Sequence, residues 1–138
     1  MVIGSLGDVV FEVSSETVKS FDNYKRVNSS RWASQDIIGK KPVKEYLGPG
    51  LIEVGFSIKL SVFLGVSPEK ELDALRGYCE NGEIVKFIIN NKPVIDNRWV
   101  IESLNENVLS WDNKGNMLVV DVEVALKEYP ESGDKNGV

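Results

Sequence analysis

Two stretches of the chain alternate between apolar and other residues for longer than any structure except a half-buried β-strand accommodates. In the first, Ile52, Val54, Phe56, Ile58, Leu60, Val62 and Leu64 alternate with Glu53, Gly55, Ser57, Lys59, Ser61 and Phe63. In the second, Leu118, Val120, Val122, Val124 and Leu126 face one way while Asp121, Glu123 and Lys127 face the other. Successive strand side chains point to opposite faces, so each run gathers its apolar set on one side. Two such faces are stable only against a common core. The chain has 138 residues, enough for one domain with a real core.

Further strand signals surround these two. Val9–Val13 is rich in β-branched residues, and Pro42–Leu47 reads as a strand entering a turn at Gly48-Pro49-Gly50. Ile84–Ile89, Arg98–Asn105 and Val108–Trp111 are further β-runs, and Asp112-Asn113-Lys114-Gly115 is a hairpin loop. One helix is predicted over about 68–81. Ser67 stands where an N-cap belongs, Pro68 fits the first helical position, and Asn81-Gly82 supplies the stop. Leu72, Leu75 and Cys79 recur along it at helical spacing. The stretch from about 15 to 41 is polar, punctuated by aromatics and poorly periodic, and reads as a long arm or loop. Residues 130–138 form a polar tail. The expected fold is therefore a β-rich α+β domain over 1–129. It is a sandwich or partly open barrel of about six or seven strands, with one flanking helix and a long N-terminal arm.

The composition removes several kinds of chemistry. No histidine is present, so triads, imidazole acid–base catalysis and histidine metal sites are excluded. Cys79 is the only cysteine, which rules out an internal disulfide or a cysteine zinc cage and fits a reducing cytosol. The net charge is −5, which disfavours sequence-independent binding to nucleic acid or to an anionic membrane. No stretch reaches the roughly 18 apolar residues a membrane span needs, and Met1–Val10 lacks the basic flank of a signal peptide. No glycine-rich phosphate cradle occurs. The carboxylates open to acid–base work are Asp36, Glu45, Glu53, Asp96, Glu102, Asp121 and Glu123. Asp121 and Glu123 share a strand face, either as an acid pair or simply as the solvated side of an amphipathic strand. Asp112–Gly115 lacks the distal ligands of a calcium loop. No catalytic residue, cofactor or metal is expected, and the chain is read as a non-enzyme.

Assembly is the remaining expectation. Arg and Trp dominate interface energetics, and Arg31-Trp32 lies in the arm beside Asp36 and Lys40-Lys41. Phe21, Tyr24, Arg31, Trp32, Asp36, Lys40, Lys41 and Pro49 are the candidate interface residues. Trp32 can instead be a core anchor that pins the loop, and Trp99, within a β-run, is the better core residue. Two other readings compete: a stand-alone small-ligand barrel, and a carboxylate enzyme such as a glycosidase.

The wording of whole segments narrows this choice. I-G-S-L-G-D-V-V-F-E-V-S (Ile3–Ser14), R-W-A-S-Q-D-I-I-G-K-K-P (Arg31–Pro42) and L-G-P-G-L-I-E-V-G-F-S-I-K-L (Leu47–Leu60) resemble the phage tail protein U (GpU-like) family. So do the helix entry Ser67-Pro68-Glu69-Lys70-Glu71, V-I-E-S-L-N-E (Val100–Glu106), D-N-K-G-N-M-L (Asp112–Leu118) and L-K-E-Y (Leu126–Tyr129). The resemblance spans nearly the whole chain in order and stops at Tyr129. It implies a structural protein of contractile phage tails or of phage-tail-like bacteriocins, with a tail-tube-like β-domain. By that resemblance six copies form a ring between the tail tube and the baseplate hub, beside tube, sheath or LysM-type proteins. It also implies synthesis in the bacterial cytoplasm and incorporation into the virion or particle. A completion or terminator role at the other end of the tube is the alternative placement.

Overall fold

The structure is a computed structural model and describes residues 2–13, 18–95 and 98–130. Its strands form three sheets. The first runs β3(Val18–Lys19), β2(Val9–Val13), β1(Val2–Leu6), β8(Phe87–Ile89), β9(Lys92–Pro93). The second runs β10(Arg98–Trp111), β11(Met117–Tyr129), β7(Glu53–Ser61), β4(Phe21–Val27). The third is a hairpin of β5(Ser30–Ile37) and β6(Lys40–Pro49). We refer to them as sheets A, B and C. The single helix among the described residues, α1, spans Pro68–Asn81.

Sheet B is the frame, and the two alternating runs are its central strands. β7 and β11 pair antiparallel from Lys127 opposite Glu53 to Val119 opposite Ser61. Val54, Phe56, Ile58 and Leu60 therefore lie beside Val120, Val122, Val124 and Leu126, and all eight are buried. The runs at Arg98–Asn105 and Val108–Trp111 prove to be one strand, β10, which stays paired to β11 through bulges. A bulge inserts a residue and keeps the ladder going, while an alternation pattern read across it loses phase. The first alternating run also ends earlier than the sequence implies. Ser61 is buried, and Val62–Leu64 turn into a short 3-10 segment that leaves Val62 and Phe63 exposed. Ser61 Oγ accepts from Phe63 N at 3.1 Å, so the serine caps this turn.

Sheet A closes over sheet B and does not complete a barrel. Rings from both sheets interlock at the centre. Phe11 meets Phe21 and Phe56 edge-on, with centroids at 5.3 and 6.0 Å, and Phe87 stacks on Phe56 at 5.2 Å. Trp99 meets Phe87 edge-on and is wholly buried, as expected for a core residue. Offset and edge-to-face pairs add to the burial of such large side chains.

The helix has the predicted bounds. Leu72, Leu75 and Tyr78 are buried, Cys79 is half-buried, and Gly82 ends the helix at φ 62°. Ser67 occupies the N-cap, but its side chain makes no capping hydrogen bond; its carbonyl accepts from Glu71 N. Two ion pairs fix the helix. Lys19 Nζ meets Glu71 Oε1 at 2.8 Å, and Arg76 grips the Glu106 carboxylate with both arms of its guanidinium, its Nε at 2.8 Å.

The arm is where sequence and structure differ most. Its described part, from Val18 onward, is regular. Val18–Lys19 joins sheet A, Phe21–Val27 forms the edge of sheet B against β7, and Ser30–Ile37 begins the separate hairpin. These strands carry no clean alternation because β4 has a bulge at Asn23, where φ is 56°, and because the hairpin has no buried face to encode. Asp96, residues 15–17 and the tail 131–138 lie outside the described residues.

Candidate assembly surface

The hairpin of β5 and β6 leaves the body between β4 and β7, turns at Ile38-Gly39 and returns. Gly39 sits at φ 77°, the left-handed conformation that a tight reversal requires. Along both strands only Ala33 and Gly48 are even half-buried. The two strands make their substantial contacts with each other and not with the rest of the molecule.

Cross-strand register sorts the side chains into faces. Trp32 lies opposite Tyr46 and Ser34 opposite Lys44 on one face, while Ala33 opposite Glu45 and Gln35 opposite Val43 make the other. Trp32 and Tyr46 meet edge-on at 5.2 Å and remain 53% and 56% exposed. The core-anchor reading of Trp32 is thereby removed; its indole Nε1 donates to Ser30 Oγ at 2.7 Å, outside the core. Arg31 closes the base of the hairpin, donating to Leu47 O at 3.1 Å and to Pro49 O at 3.3 Å. Asp36, Lys40 and Lys41 are exposed around the tip, where Ile38 is fully exposed.

Of the eight candidate interface residues, the hairpin thus carries six: Arg31, Trp32, Asp36, Lys40, Lys41 and Pro49. The other two are on β4. Phe21 packs into the aromatic core, and Tyr24 tilts over Phe21 and Phe87 while staying partly exposed. Sequence reasoning passed over Val43, Tyr46 and Leu47 on the returning strand, each about half exposed. Tyr46 faces Trp32 across the hairpin, a pairing that becomes visible only once 30–37 is read as a second strand beside the one at 42–47.

The uncovered face of sheet B is polar. A shallow groove across it is lined by Asp22, Ser57, Lys59, Asn105, Asp121 and Glu123. Asp121 lies opposite Lys59 on one side and Asn107 on the other. Asn105 Nδ2 donates to Glu123 Oε1 at 3.4 Å. The shared face of Asp121 and Glu123 is therefore an open one, partnered by Lys and Asn side chains. No group of three or more metal-ligating side chains occurs among the described residues.

At the far end of sheet B the loop 112–116 is locked by one carboxylate. Asp112 Oδ1 accepts from Lys114 N at 2.7 Å and Asn116 N at 2.9 Å, and Oδ2 accepts from Asn116 Nδ2 at 2.9 Å. These bonds, those from Asn116 foremost, hold the Asp112 carboxyl below its ordinary value. Near the helix, the hydrogen bond from Arg76 likewise lowers Glu106, and Glu106 raises Arg76.

A two-sheet body with a bare hairpin standing off it leaves Trp32, Val43, Tyr46 and Leu47 outside the core. The family model described as Phage P2 GpU matches residues 7–131, and the chain belongs to that family of phage tail proteins. No curated protein matches the chain. No helix among the described residues is long and apolar enough to cross a membrane.

Proposed function

We propose that this phage tail protein is a non-catalytic structural subunit that forms a ring, six copies by the family resemblance, linking the tail tube to the baseplate hub. The observation that carries the reading is the hairpin. A two-stranded hairpin is at best marginally stable in water on its own. This one exposes Trp32, Val43, Tyr46 and Leu47 and has no covering layer of its own. Its cost is understandable if a neighbouring subunit covers it in the particle.

The rest of the body fits such a role. The groove on the open face of sheet B carries Asp22, Glu106, Asp121 and Glu123 against Lys59, a net negative lining. Turned toward a channel, such a wall repels a polyanion and lets DNA pass without adhering.

Immunogold electron microscopy of purified tail particles tests the placement. Label at the baseplate end is the expected result. Label at the head-proximal end would move the protein to a completion role, and absence of label from every particle would remove it from the mature tail. The role of the hairpin is tested separately with Arg31→Ala combined with Trp32→Ala. We expect this variant to melt as the wild type does and to fail to enter particles; normal incorporation would count against the hairpin.

A further inference from the structure

Exposed apolar side chains gather at both ends of sheet B, and the two ends are unlike. One end carries the hairpin, which leaves where Val27 and Lys127 both lie opposite Glu53. At the other end β7 passes into the 3-10 turn, where Phe63 is 74% exposed and Val62 is also exposed. On the same end β10 finishes with Leu109 and Trp111, both more than half exposed. Ser61 lies opposite Val119, and Trp111 opposite Met117, so β11 alone separates the two pairs, a width of about 10 Å.

The charges are distributed just as unevenly. The hairpin holds Arg31, Lys40, Lys41 and Lys44 against Asp36 and Glu45, a net positive projection on a chain of net charge −5. Two hairpins laid against each other would bring eight cations together with four carboxylates. A hairpin laid against the body of another copy meets the opposite sign.

We propose that the hairpin of one copy seats on the Val62–Phe63 and Leu109–Trp111 end of a second copy, its cationic tip against the acidic body. This rests on the reading of the hairpin as the assembly arm and adds the place where the arm lands. The contact joins two different surfaces, so it is head-to-tail, leaving each pair with one free arm and one free seat. Repetition then closes a ring or continues a stack, according to the rotation between copies.

Sedimentation of the full chain with two variants tests the landing site. Ile38→Asp is chosen to spoil the tip and Phe63→Asp the seat; both positions are exposed, and thermal melts check that each variant folds. The wild type should self-associate with rising concentration, each variant alone at least tenfold more weakly. An equal mixture should recover a one-to-one dimer and go no further, because it holds one intact arm and one intact seat. If Ile38→Asp abolishes association while Phe63→Asp leaves it unchanged, the arm stands and the seat is wrong. A mixture that stays monomeric overturns the head-to-tail contact. A wild type that is monomeric at every concentration overturns both the seat and self-assembly through the arm.

Discussion

Tryptophan is used in two opposite ways in this chain. Trp99 is wholly buried, yet its indole Nε1–H finds no hydrogen-bond partner among the described residues. A buried donor left unpaired costs about 1–3 kcal/mol. Trp99→Phe gives up ring volume and removes that donor, so the two effects oppose each other. We expect a net loss of no more than about 1.5 kcal/mol in urea unfolding, of the size seen for tolerated hydrophobic swaps. Phe56→Ala, which empties the centre of the aromatic cluster, should cost about 3–5 kcal/mol in the same measurement. Trp32→Ala removes an exposed ring from the hairpin and should change stability by less than about 1 kcal/mol. The sequence distinguishes these tryptophans only by context. Trp99 sits in a β-run, which points to the core, whereas the residues around Trp32 carry no periodicity and fit a core anchor as well as an exposed interface residue.

Among the elements, the helix was legible to the residue because its punctuation is local: Pro68 opens it and Gly82 closes it. β7 and β11 were legible because one buried face imposes period two. The hairpin was not, since two exposed faces impose no pattern and a tip of Ile37, Ile38, Lys40 and Lys41 resembles a loop. Its first strand therefore reads from the sequence as part of an irregular arm. The contacts between elements were invisible as well, because pairs such as Arg76 with Glu106 join residues 30 positions apart. That pair gives a pH dependence. The folded-state pKa of Glu106 is lowered, so its contribution is present above the ordinary value of 4.5 and is lost as pH falls through the lowered one. Glu106→Gln should therefore destabilise at neutral pH by about 1 kcal/mol or less, given the partial exposure of Arg76, and the difference from wild type should vanish in acid. Urea midpoints at pH 7 and below pH 3 check both halves. Sheet A has a stricter requirement. A Cβ on Gly4 would come within 2.5 Å of the Ile88 carbonyl oxygen, on the strand paired with β1. Gly4→Ala should cost about 1–3 kcal/mol through overpacking, visible as a lowered Tm.

Taken whole, the molecule is a stable body with an arm that contributes little to it. Replacing residues 31–48 with a short Gly-Ser linker should leave the Tm of the body within a few degrees, and hydrogen exchange should be fast in β5–β6 and slow in β7 and β11. Protection of the hairpin amides should appear only once copies associate; protection in the monomer would mean that the body itself covers them. The order of the strands has a further consequence, for the ribosome. In sheet B the strand that joins β10 to β7 is β11, which begins only at Met117, and β1 must wait for its partner at Phe87–Ile89. Sheet B therefore lacks a central strand until late in translation, and sheet A is incomplete until β8 and β9 are made. The hairpin, like the β1–β2 pair, can form early, and it emerges before there is any finished body for it to grip. If the arm seats on a finished body, two nascent chains on one polysome have no seat to offer each other's arms.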